Sequence, residues 1–384
     1  MSRRCAGSSR ITSNLLEPPI RIMTIFGTRP EIIRLSLLIP VLDQHSEHLL
    51  VHTGQNYEPQ LSDIFLSDLR LRKPDEHLEV RSGRFAEQAS LIIDRADAVM
   101  DRLRPDRILI LGDTNSGFAA LPAARRRIPV YHLEAGNRCY DDRVPEEVNR
   151  RIIDHCSTFL LPYTQRSKEN LIREGIESDR IFVVGNPIYE VLTSFDREIA
   201  ASTVHQTLKL ETGRYILVTM HRAENVDDSS RLRRLCSGLS QVAAATGLPL
   251  VWPVHPRTAD RLAREAAVDT STIVMTEPLG LFDFVRLERE AACVMTDSGT
   301  VQEECAILRI PNVTIRDVTE RPETVEAGSN VLAGSEPASL VRAVALARSL
   351  PTDWVTPPEY LIPHPSIAIA KIVLGHASFE RHLH

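Results

Sequence analysis

Nowhere in this sequence does an uninterrupted apolar run approach the ~20 residues that a helix needs to cross a bilayer. Residues 1–20 also lack the apolar segment of a cleaved signal peptide, and their serine and arginine content predicts a disordered extension. The six cysteines form no C-x-x-C pair and are scattered over Cys5, Cys139, Cys156, Cys236, Cys293 and Cys305. We therefore expect a cytoplasmic protein with reduced thiols.

An excess of basic charge is also absent. The formal net charge of the 384 residues is −6, and the four lysines are Lys73, Lys168, Lys209 and Lys371. Nucleic acids and anionic membranes favour proteins with a basic face, so neither is expected as a partner. With 43% hydrophobic and 25% charged residues the composition is that of a globular protein, and its length predicts two domains.

Several motifs that bind cofactors or carry nucleophiles are missing. No G-x-G-x-x-G follows an expected strand, and neither G-x-x-x-x-G-K-[ST] nor G-x-S-x-G occurs. These absences argue against a dinucleotide cofactor, P-loop phosphoryl transfer and a hydrolase nucleophile. His45, His48 and His52 are close in sequence but belong to a helix end and a strand, so no metal site is predicted. We expect the protein to work without a cofactor.

Short β-branched runs alternate with amphipathic stretches along most of the chain. The expected strands are residues 22–26, 48–52, 107–111 and 130–133 in the first half, and 215–220, 250–254, 273–275, 293–296 and 312–315 in the second. The expected helices of the first half are residues 30–42, 85–103, 118–126 and 146–156. This alternation predicts an α/β protein with two doubly wound, parallel, Rossmann-like sheets.

The joint between the two halves is expected near Gly185-Asn186-Pro187. It divides the chain into a first domain of residues 21–187 and a second of residues 188–365. Residues 366–384 are expected to form a helix that packs back on the first domain. Because ligands of open α/β sheets bind beyond the carboxyl ends of the strands, two such domains predict one cleft between them.

The segment Asp297-Ser298-Gly299-Thr300-Val301-Gln302-Glu303-Glu304 follows an expected strand and predicts a phosphate cradle. Backbone N–H groups and the positive end of the helix dipole at Ser298, Gly299 and Thr300 can hold a diphosphate. Glu304, one turn later, can accept both hydroxyls of a ribose. The alternative is an ordinary strand-to-helix loop with acids in its first turn.

An arginine stands at the start of the first expected helix, in Gly27-Thr28-Arg29-Pro30-Glu31. Thr28 and Glu31 form a predicted capping box, with Pro30 in the first turn. Arg29 at this helix start, reinforced by Arg34, can bind two phosphate oxygens at once. A solvated arginine at a helix start is an equally good interpretation of Arg29 alone.

Polar side chains follow the other strands of the first half. Gln55 follows the second strand and can line the cleft, and Asp113 ends the third, where an aspartate more often caps the next helix. Glu134 ends the fourth strand and has no evident capping role. Glu146 begins a helix with Arg150 four residues later, which can equally be a local ion pair. Three carboxylates converging on one cleft predict acid–base chemistry.

The second half places histidines at the matching positions. His221 and His255 each follow an expected strand, although either can be a structural histidine. The segment Arg316-Asp317-Val318-Thr319-Glu320-Arg321-Pro322-Glu323 adds two arginines after the last of these strands. Some of these charges are expected to pair with one another.

Together these motifs resemble the UDP-N-acetylglucosamine 2-epimerases, in the order of that family and over nearly the whole chain from Ile22 to Gly334. The segments that carry the resemblance are Gly27-Thr28-Arg29-Pro30-Glu31, Thr53-Gly54-Gln55, Gly112-Asp113-Thr114, Glu134-Ala135-Gly136, Pro145-Glu146-Glu147, Asn149-Arg150, His221-Arg222, Pro253-Val254-His255, Asp297-Ser298-Gly299, Gln302-Glu303-Glu304 and Thr319-Glu320-Arg321-Pro322-Glu323.

The resemblance implies a GT-B fold, a homodimer, and interconversion of UDP-N-acetylglucosamine with UDP-N-acetylmannosamine. In that family UDP is expelled to leave enzyme-bound 2-acetamidoglucal, and it adds back after protonation on the other face. By resemblance, the acid–base and charge-stabilising carboxylates are Asp113, Glu134 and Glu146, with their individual assignments left open, and His221 lies near the departing diphosphate. The residues expected to contact the UDP sugar are Arg29, Arg34, Gln55, Arg150, His255, Ser298, Gly299, Thr300, Glu304 and Arg321.

The chain departs from the family pattern at three places. Arg34 stands where many relatives have lysine, and Thr300 stands where many have glycine. The segment His221-Arg222-Ala223-Glu224-Asn225 differs from the double-arginine form of relatives that a second substrate molecule activates, so such activation is not expected here. The sequence of residues 27–36, 52–57 and 136–140 looks closer to that of a branch of the family that forms UDP-N-acetyl-L-fucosamine from a 6-deoxy-talose precursor. A hydrolysing 2-epimerase, and a GT-B glycosyltransferase that shares the UDP-binding half, are also compatible with the motifs.

Overall fold

Six parallel strands form the first sheet, in the order β3-β2-β1-β4-β5-β6. The structure is a computed structural model, which describes residues 19–55, 65–254, 256–264 and 272–375. The strands of this sheet are β1 (Arg21–Phe26), β2 (Glu47–His52), β3 (Glu76–His77), β4 (Arg107–Leu111), β5 (Val130–Leu133) and β6 (Phe159–Leu161).

The second sheet repeats the first. Its strands are β7 (Ile216–Thr219), β8 (Leu250–Pro253), β9 (Ile273–Thr276), β10 (Cys293–Thr296), β11 (Asn312–Thr314) and β12 (Asn330–Leu332), in the order β12-β11-β10-β7-β8-β9. Numbered within its own half, each sheet has the Rossmann order 3-2-1-4-5-6. The order therefore reverses between β1 and β4 in one sheet and between β7 and β10 in the other.

Helices cover both sheets. They are α1 (Arg29–Leu35), α2 (Ile39–His45), α3 (Phe85–Leu103), α4 (Ala120–Arg125), α5 (Pro145–Cys156), α6 (Gln165–Arg173), α7 (Pro187–Ser194), α8 (Asp196–Ala201), α9 (Val204–Leu208), α10 (Ala223–Val226), α11 (Ser229–Thr246), α12 (Pro256–Arg264), α13 (Leu281–Arg289), α14 (Gly299–Leu308), α15 (Pro322–Glu326), α16 (Pro337–Ser349) and α17 (Pro365–Gly375). Short 3₁₀ segments lie at Asn115–Ala119, Ser178–Arg180 and Pro358–Leu361. Within the described ranges, none of the helices combines the length and apolar character needed to span a membrane.

The apolar cores lie on both faces of each sheet. Along β1, Ile22 packs into the core on one face and Met23 into the core on the other, as the two-residue period of a strand requires. Ile216 and Leu217 of β7 divide in the same way between two cores. Burial on both faces explains why these strands read as continuous apolar runs rather than alternating ones.

One predicted helix is wrong in its extent. Residues 30–42 form two helices, α1 and α2, with a turn between them. Pro40 has no backbone N–H to continue a helix from the preceding turn, but it fits the first turn of a new one. The predicted helix over residues 118–126 likewise begins as the 3₁₀ segment Asn115–Ala119 before α4.

Two helices connect the halves. α7, whose N-terminus is capped by Asn186 accepting from the Ile188 N–H at 3.0 Å, contacts α1 of the first half and α14 of the second. α17, at the end of the described chain, contacts α2. Arg107 of β4 donates a hydrogen bond to the carbonyl of Val373 in α17. The chain thus returns to the first half after completing the second sheet.

Candidate active site

Four loops meet where the strand order reverses, one after each of β1, β4, β7 and β10. Ligands of doubly wound sheets bind at this position. The segments that follow the strands of the two halves touch: Arg34 of α1 donates to the Thr300 hydroxyl of α14 at 2.9 Å, and Arg222, after β7, pairs with Glu146 of α5 at 2.9 Å. The cleft between these loops is the candidate active site.

The predicted capping box at Thr28 and Glu31 is present. Glu31 accepts hydrogen bonds from the N–H groups of Gly27 at 2.6 Å and Thr28 at 3.1 Å, and from the Thr114 hydroxyl at 2.6 Å. Burial raises the pKa of Glu31 to about 7, although these donors oppose the rise. Glu31 therefore joins the loops after β1 and β4 and fixes the backbone from which Arg29 extends.

Asp113 is bound by an arginine and does not cap a helix. Arg150 Nη2 and Nε donate to its Oδ2 at 2.6 and 3.0 Å, while Arg150 Nη1 donates to Glu147 at 2.7 Å. The cap of the 3₁₀ segment is Thr114, so the capping interpretation of Asp113 is wrong. Burial alone would raise the pKa of Asp113, but Arg150 and Arg222 lower it below its ordinary value. Asp113 is therefore ionised at neutral pH.

Glu134 has a left-handed backbone, with φ +66°. Such a conformation costs a non-glycine residue on the order of 1 kcal/mol. Its Oε2 accepts from Arg34 Nη1 at 2.5 Å and from the Tyr163 hydroxyl at 3.5 Å. Its Oε1 accepts from Arg321 Nη2 and from Asn137 Nδ2, the latter at 3.3 Å. Four donors converge on this one carboxylate.

Glu303 shares the same two arginines. Arg34 Nη2 donates to its Oε2 at 2.5 Å, and Arg321 Nε donates to its Oε1. We call Arg34, Glu134, Arg321 and Glu303 the charge ring. It crosses the cleft, because the first two residues belong to the first half and the last two to the second. All four side chains are 7% exposed or less. Each buried charge lies between two charges of opposite sign, and this pairing offsets the cost of removing the charges from water.

A second ion-pair network also crosses the cleft. Arg222 pairs with Glu146 at 2.9 Å and donates to Glu320 at 3.2 Å, and Arg316 donates to Glu320 at 2.7 Å. Burial favours a raised pKa at Glu320, but Arg316 and Arg222 hold it well below its ordinary value. The local pair of Glu146 with Arg150 is not formed, because Arg150 turns to the loop after β4.

Asp297 organises the loop that carries His221. It is fully buried and accepts from the N–H groups of His221 at 3.0 Å and Arg222 at 2.9 Å, and from Asn225 Nδ2 at 3.0 Å. The His221 ring lies 3.4 Å from Asp297 and is half exposed. Asp297 thus acts on the cleft through the residues that it positions.

The cradle at the start of α14 differs in detail from the prediction. The Ser298 N–H donates to the Thr296 hydroxyl at 2.9 Å and so is already engaged. Gly299 is required by close packing, because a Cβ there would lie 2.7 Å from the Glu320 carboxylate. The Thr300 hydroxyl accepts from the charge ring.

Three further residues were predicted to belong to the site, and the structure places two of them. Glu304 is buried and hydrogen-bonded to Glu288, and burial raises its pKa to about 8. Gln55 accepts from the Ser116 N–H at 3.2 Å and so joins the loops after β2 and β4. His255 lies outside the described residues.

Sequence reasoning did not single out Glu303, Arg222, Glu320 or Tyr163. The first three belong to motifs that the sequence analysis recognised. Each is a charged residue next to a residue already assigned to the site, and that position is the signal that could have identified it. Tyr163 follows the three-residue strand β6, which the sequence pattern did not predict. Without that strand, its position beside the cleft could not be placed.

The fold and the cleft define the class. Two Rossmann-like halves that enclose one cleft at their switch points make an α/β protein of the GT-B type, as predicted. In the part of the chain that the structure covers, no cluster of three or more histidine, cysteine, aspartate or glutamate side chains is arranged to hold a metal.

Comparisons with known proteins identify the family. A family model described as UDP-N-acetylglucosamine 2-epimerase matches residues 41–373. A UDP-N-acetylglucosamine 2-epimerase of Methanocaldococcus jannaschii is 37% identical over 348 residues, which are 88% of this chain and 95% of that protein. A UDP-2,3-diacetamido-2,3-dideoxy-D-glucuronate 2-epimerase of Pseudomonas aeruginosa is 35% identical over 324 residues, 82% and 89% of the two chains.

A solved structure leads to the same family. The UDP-GlcNAc 2-epimerase of M. jannaschii, in complex with UDP-GlcNAc and UDP, superposes with a TM-score of 0.88 at 36% identity, covering 92% of this chain and 99% of that one. The chain belongs to the UDP-N-acetylglucosamine 2-epimerase family of isomerases, which confirms the prediction from its motifs.

Proposed function

We propose that this protein is a non-hydrolysing UDP-N-acetylglucosamine 2-epimerase, which interconverts UDP-N-acetylglucosamine and UDP-N-acetylmannosamine without an added cofactor. The observation that carries the proposal is the placement of Asp113, Glu134 and Glu146 at one side of a switch-point cleft whose other side holds arginines. Family membership supports it, because the M. jannaschii relative bears this activity in its name and its solved structure contains UDP-GlcNAc and UDP.

The chemistry explains why both carboxylates and cations are needed. C2 of the sugar bears an acetamido group and has no carbonyl neighbour, so its proton is weakly acidic. A carboxylate removes that proton while the bond from C1 to the β-phosphate oxygen breaks, which gives 2-acetamidoglucal and UDP. UDP then returns to C1 while C2 is protonated on the opposite face. Atoms and electrons balance, and no oxidant is consumed.

Each side of the cleft supplies one part of this reaction. Asp113, Glu134 and Glu146 supply the proton transfers, for which positioned groups contribute ~10²–10⁴-fold. Arg29, the N-terminus of α14 and His221 meet the charge that develops on departing UDP, and such preorganised stabilisation is commonly the largest catalytic term. Retention of UDP during the life of the glucal is what makes the reaction reversible.

A second candidate is the same inversion on another UDP-2-acetamido sugar. The P. aeruginosa relative, named for a diacetamido glucuronate substrate, is nearly as similar as the M. jannaschii relative, at 35% against 37% identity. The formation of UDP-N-acetyl-L-fucosamine, which motifs of the first half resemble, belongs to the same class. These substrates differ in ring substituents and share the chemistry at C2, so the residues named keep their roles.

The experiment is incubation of candidate UDP sugars with the protein in D₂O, followed by NMR. We expect both epimers to appear with deuterium at C2, because the removed proton exchanges with solvent. Epimers without deuterium at C2 would rule out the elimination route. Free N-acetylmannosamine and UDP as main products would favour a hydrolysing epimerase, and transfer of the sugar to an added acceptor would favour a glycosyltransferase.

We also propose that the protein is a homodimer, joined through the outer face of α4 and α5. Val148 and Ile152 lie one turn apart on α5 and are 44% and 42% exposed, and Leu121 of the adjoining α4 is 39% exposed. A second copy covering this face would bury these side chains and brace the helix that carries Glu146.

Light scattering after size exclusion tests the dimer. Ile152→Asp is expected to give a monomer, because a charge on this apolar face opposes its burial. The matched control is Ile172→Asp, at a 44% exposed isoleucine on α6. A dimeric Ile152→Asp protein would exclude this face as the interface.

A cytoplasmic location is also proposed. Cys139, Cys156, Cys236, Cys293 and Cys305 are free thiols. Proteins of oxidising compartments more often carry disulfides, so free thiols support a reducing one. Fractionation of cells that express the full chain tests this, and recovery with the periplasmic or extracellular fraction would contradict it.

A further inference from the structure

Within the charge ring, Arg34 and Arg321 bind the carboxylate of Glu134, which the proposed reaction needs for proton transfer. Each oxygen of Glu134 accepts two hydrogen bonds, and one of each pair comes from an arginine of the ring. A carboxylate oxygen has two lone-pair sites, so Glu134 can take a proton from C2 only after releasing a donor. In this arrangement the proton-transfer group is held in a state that cannot act.

The same arginines suit a diphosphate. Arginine forks bind phosphate and carboxylate oxygens with the same bidentate geometry. Arg34 and Arg321 are held side by side by Glu303, which bonds to both and lies on α14, the helix whose N-terminus forms the cradle. Arg34 also donates to the Thr300 hydroxyl at 2.9 Å, so its guanidinium lies beside the first turn of α14, where the cradle is expected to hold an anion.

We propose that Glu134 and the diphosphate of the UDP sugar compete for Arg34 and Arg321. Entry of the diphosphate displaces Glu134 from the charge ring, and the freed carboxylate turns to C2. Return of Glu134 to the arginines then helps to expel UDP when the reaction is over. This inference rests on the proposed function, because it takes a UDP sugar as the ligand.

Charge balance couples the release of Glu134 to the arrival of another anion. The ring contains two cations and two anions, all buried. Removing Glu134 without a substitute would leave two buried guanidinium groups facing one carboxylate, which is strongly unfavourable. Glu134 is therefore released only when another anion takes its place. Proton transfer at C2 is thereby coupled to the presence of the group that must leave.

Calorimetric titration of UDP, inorganic pyrophosphate and uridine into three proteins tests the competition. In Glu134→Gln the competitor is neutral, so the Kd for UDP and for pyrophosphate should fall about tenfold or more, since close charge pairs couple by at least that factor. Uridine, which carries no phosphate, should bind as it does to the wild type. The control Glu169→Gln removes the same charge from an exposed site, with the side chain 64% exposed, and should change none of the three constants more than about twofold.

Two results would overturn the proposal: an unchanged or higher Kd for pyrophosphate in Glu134→Gln, or an equal gain for uridine. If Glu134→Gln does not fold, Glu134→Asp takes its place. That shorter carboxylate keeps the charge but cannot reach both arginines, so a smaller decrease in the Kd for pyrophosphate is expected. An unchanged Kd would again contradict the proposal. Failure of the wild type to bind UDP would instead contradict the proposed function, which keeps the two outcomes apart.

Discussion

Arg34 donates a hydrogen bond of 2.9 Å to the hydroxyl of Thr300. They are two of the positions at which the sequence analysis expects the chain to depart from many members of its family, with lysine and glycine as the expected family residues. Arg34 uses its fork to reach across the cleft, which the point charge of a lysine cannot do in the same way. Thr300 supplies an acceptor that glycine lacks. The two departures therefore form one contact.

A double-mutant cycle tests whether this contact is functional. We expect Arg34→Lys to lower kcat/KM about tenfold, because a lysine lacks the fork with which Arg34 would bind the diphosphate, and Thr300→Gly to lower it less. The double variant should lose less than the sum, with a coupling of about 1 kcal/mol. Arg70→Lys, at a 72% exposed arginine, is the control and should retain full activity. If the free-energy losses of the two single variants add up to that of the double variant, the contact between Arg34 and Thr300 does not contribute to activity.

Asp113 should be essential for turnover but not for UDP binding. Asp113→Asn removes the negative charge that Arg150 and Arg222 stabilise, and kcat is expected to fall ~10²–10⁴-fold. Circular dichroism and the Kd for UDP should stay close to the wild type, which separates chemistry from folding. The control is Asp97→Asn, at an exposed partner of Arg126. Wild-type turnover of Asp113→Asn would remove this carboxylate from the mechanism.

The contribution of Glu304 to stability should fall as the pH rises from about 5 to about 8. The pKa of Glu304 is raised by burial from 4.5 to about 8, so over this interval the folded protein holds a proton that the unfolded chain has released. The contribution of Glu304 to the free energy of unfolding therefore decreases as the pH rises. In Glu304→Gln this decrease should be shallower, as measured by urea unfolding at several pH values. Glu326→Gln, at a 59% exposed side chain, should leave the slope as it is.

Asp297 should affect activity through the loop after β7. Asp297→Asn keeps an acceptor but loses the charge that strengthens its bonds to the His221 and Arg222 N–H groups, so a loss of about 1–3 kcal/mol of stability is expected. The kcat should fall while the protein remains folded, because His221 and Arg222 lose their support. Asp228→Asn, at the exposed cap of α11, is the matched control and should keep wild-type turnover. Equal activities of the two variants would reduce Asp297 to a structural residue.

Much of the fold follows from local patterns. The strands predicted at residues 107–111, 130–133 and 293–296 have the same bounds in the structure, because buried parallel strands are short apolar runs bounded by polar loops. The short strands β3, β6 and β12, of two or three residues, were missed. Runs of that length carry no usable periodicity, and their neighbours in the sheet define them.

The amino-acid sequence is enough to specify the two Rossmann-like sheets, the strand ends that carry Asp113, Glu134, His221 and Ser298, and the family. Strand periodicity and motif order are local properties, which a single chain displays directly. The partners of the charged side chains are specified only in the folded molecule. Arg150 binds Asp113 rather than Glu146, and Glu134 meets Arg321, which is 187 residues away along the chain. Long side chains choose among several charges according to distance and burial, and those are set only when the two halves close on one cleft.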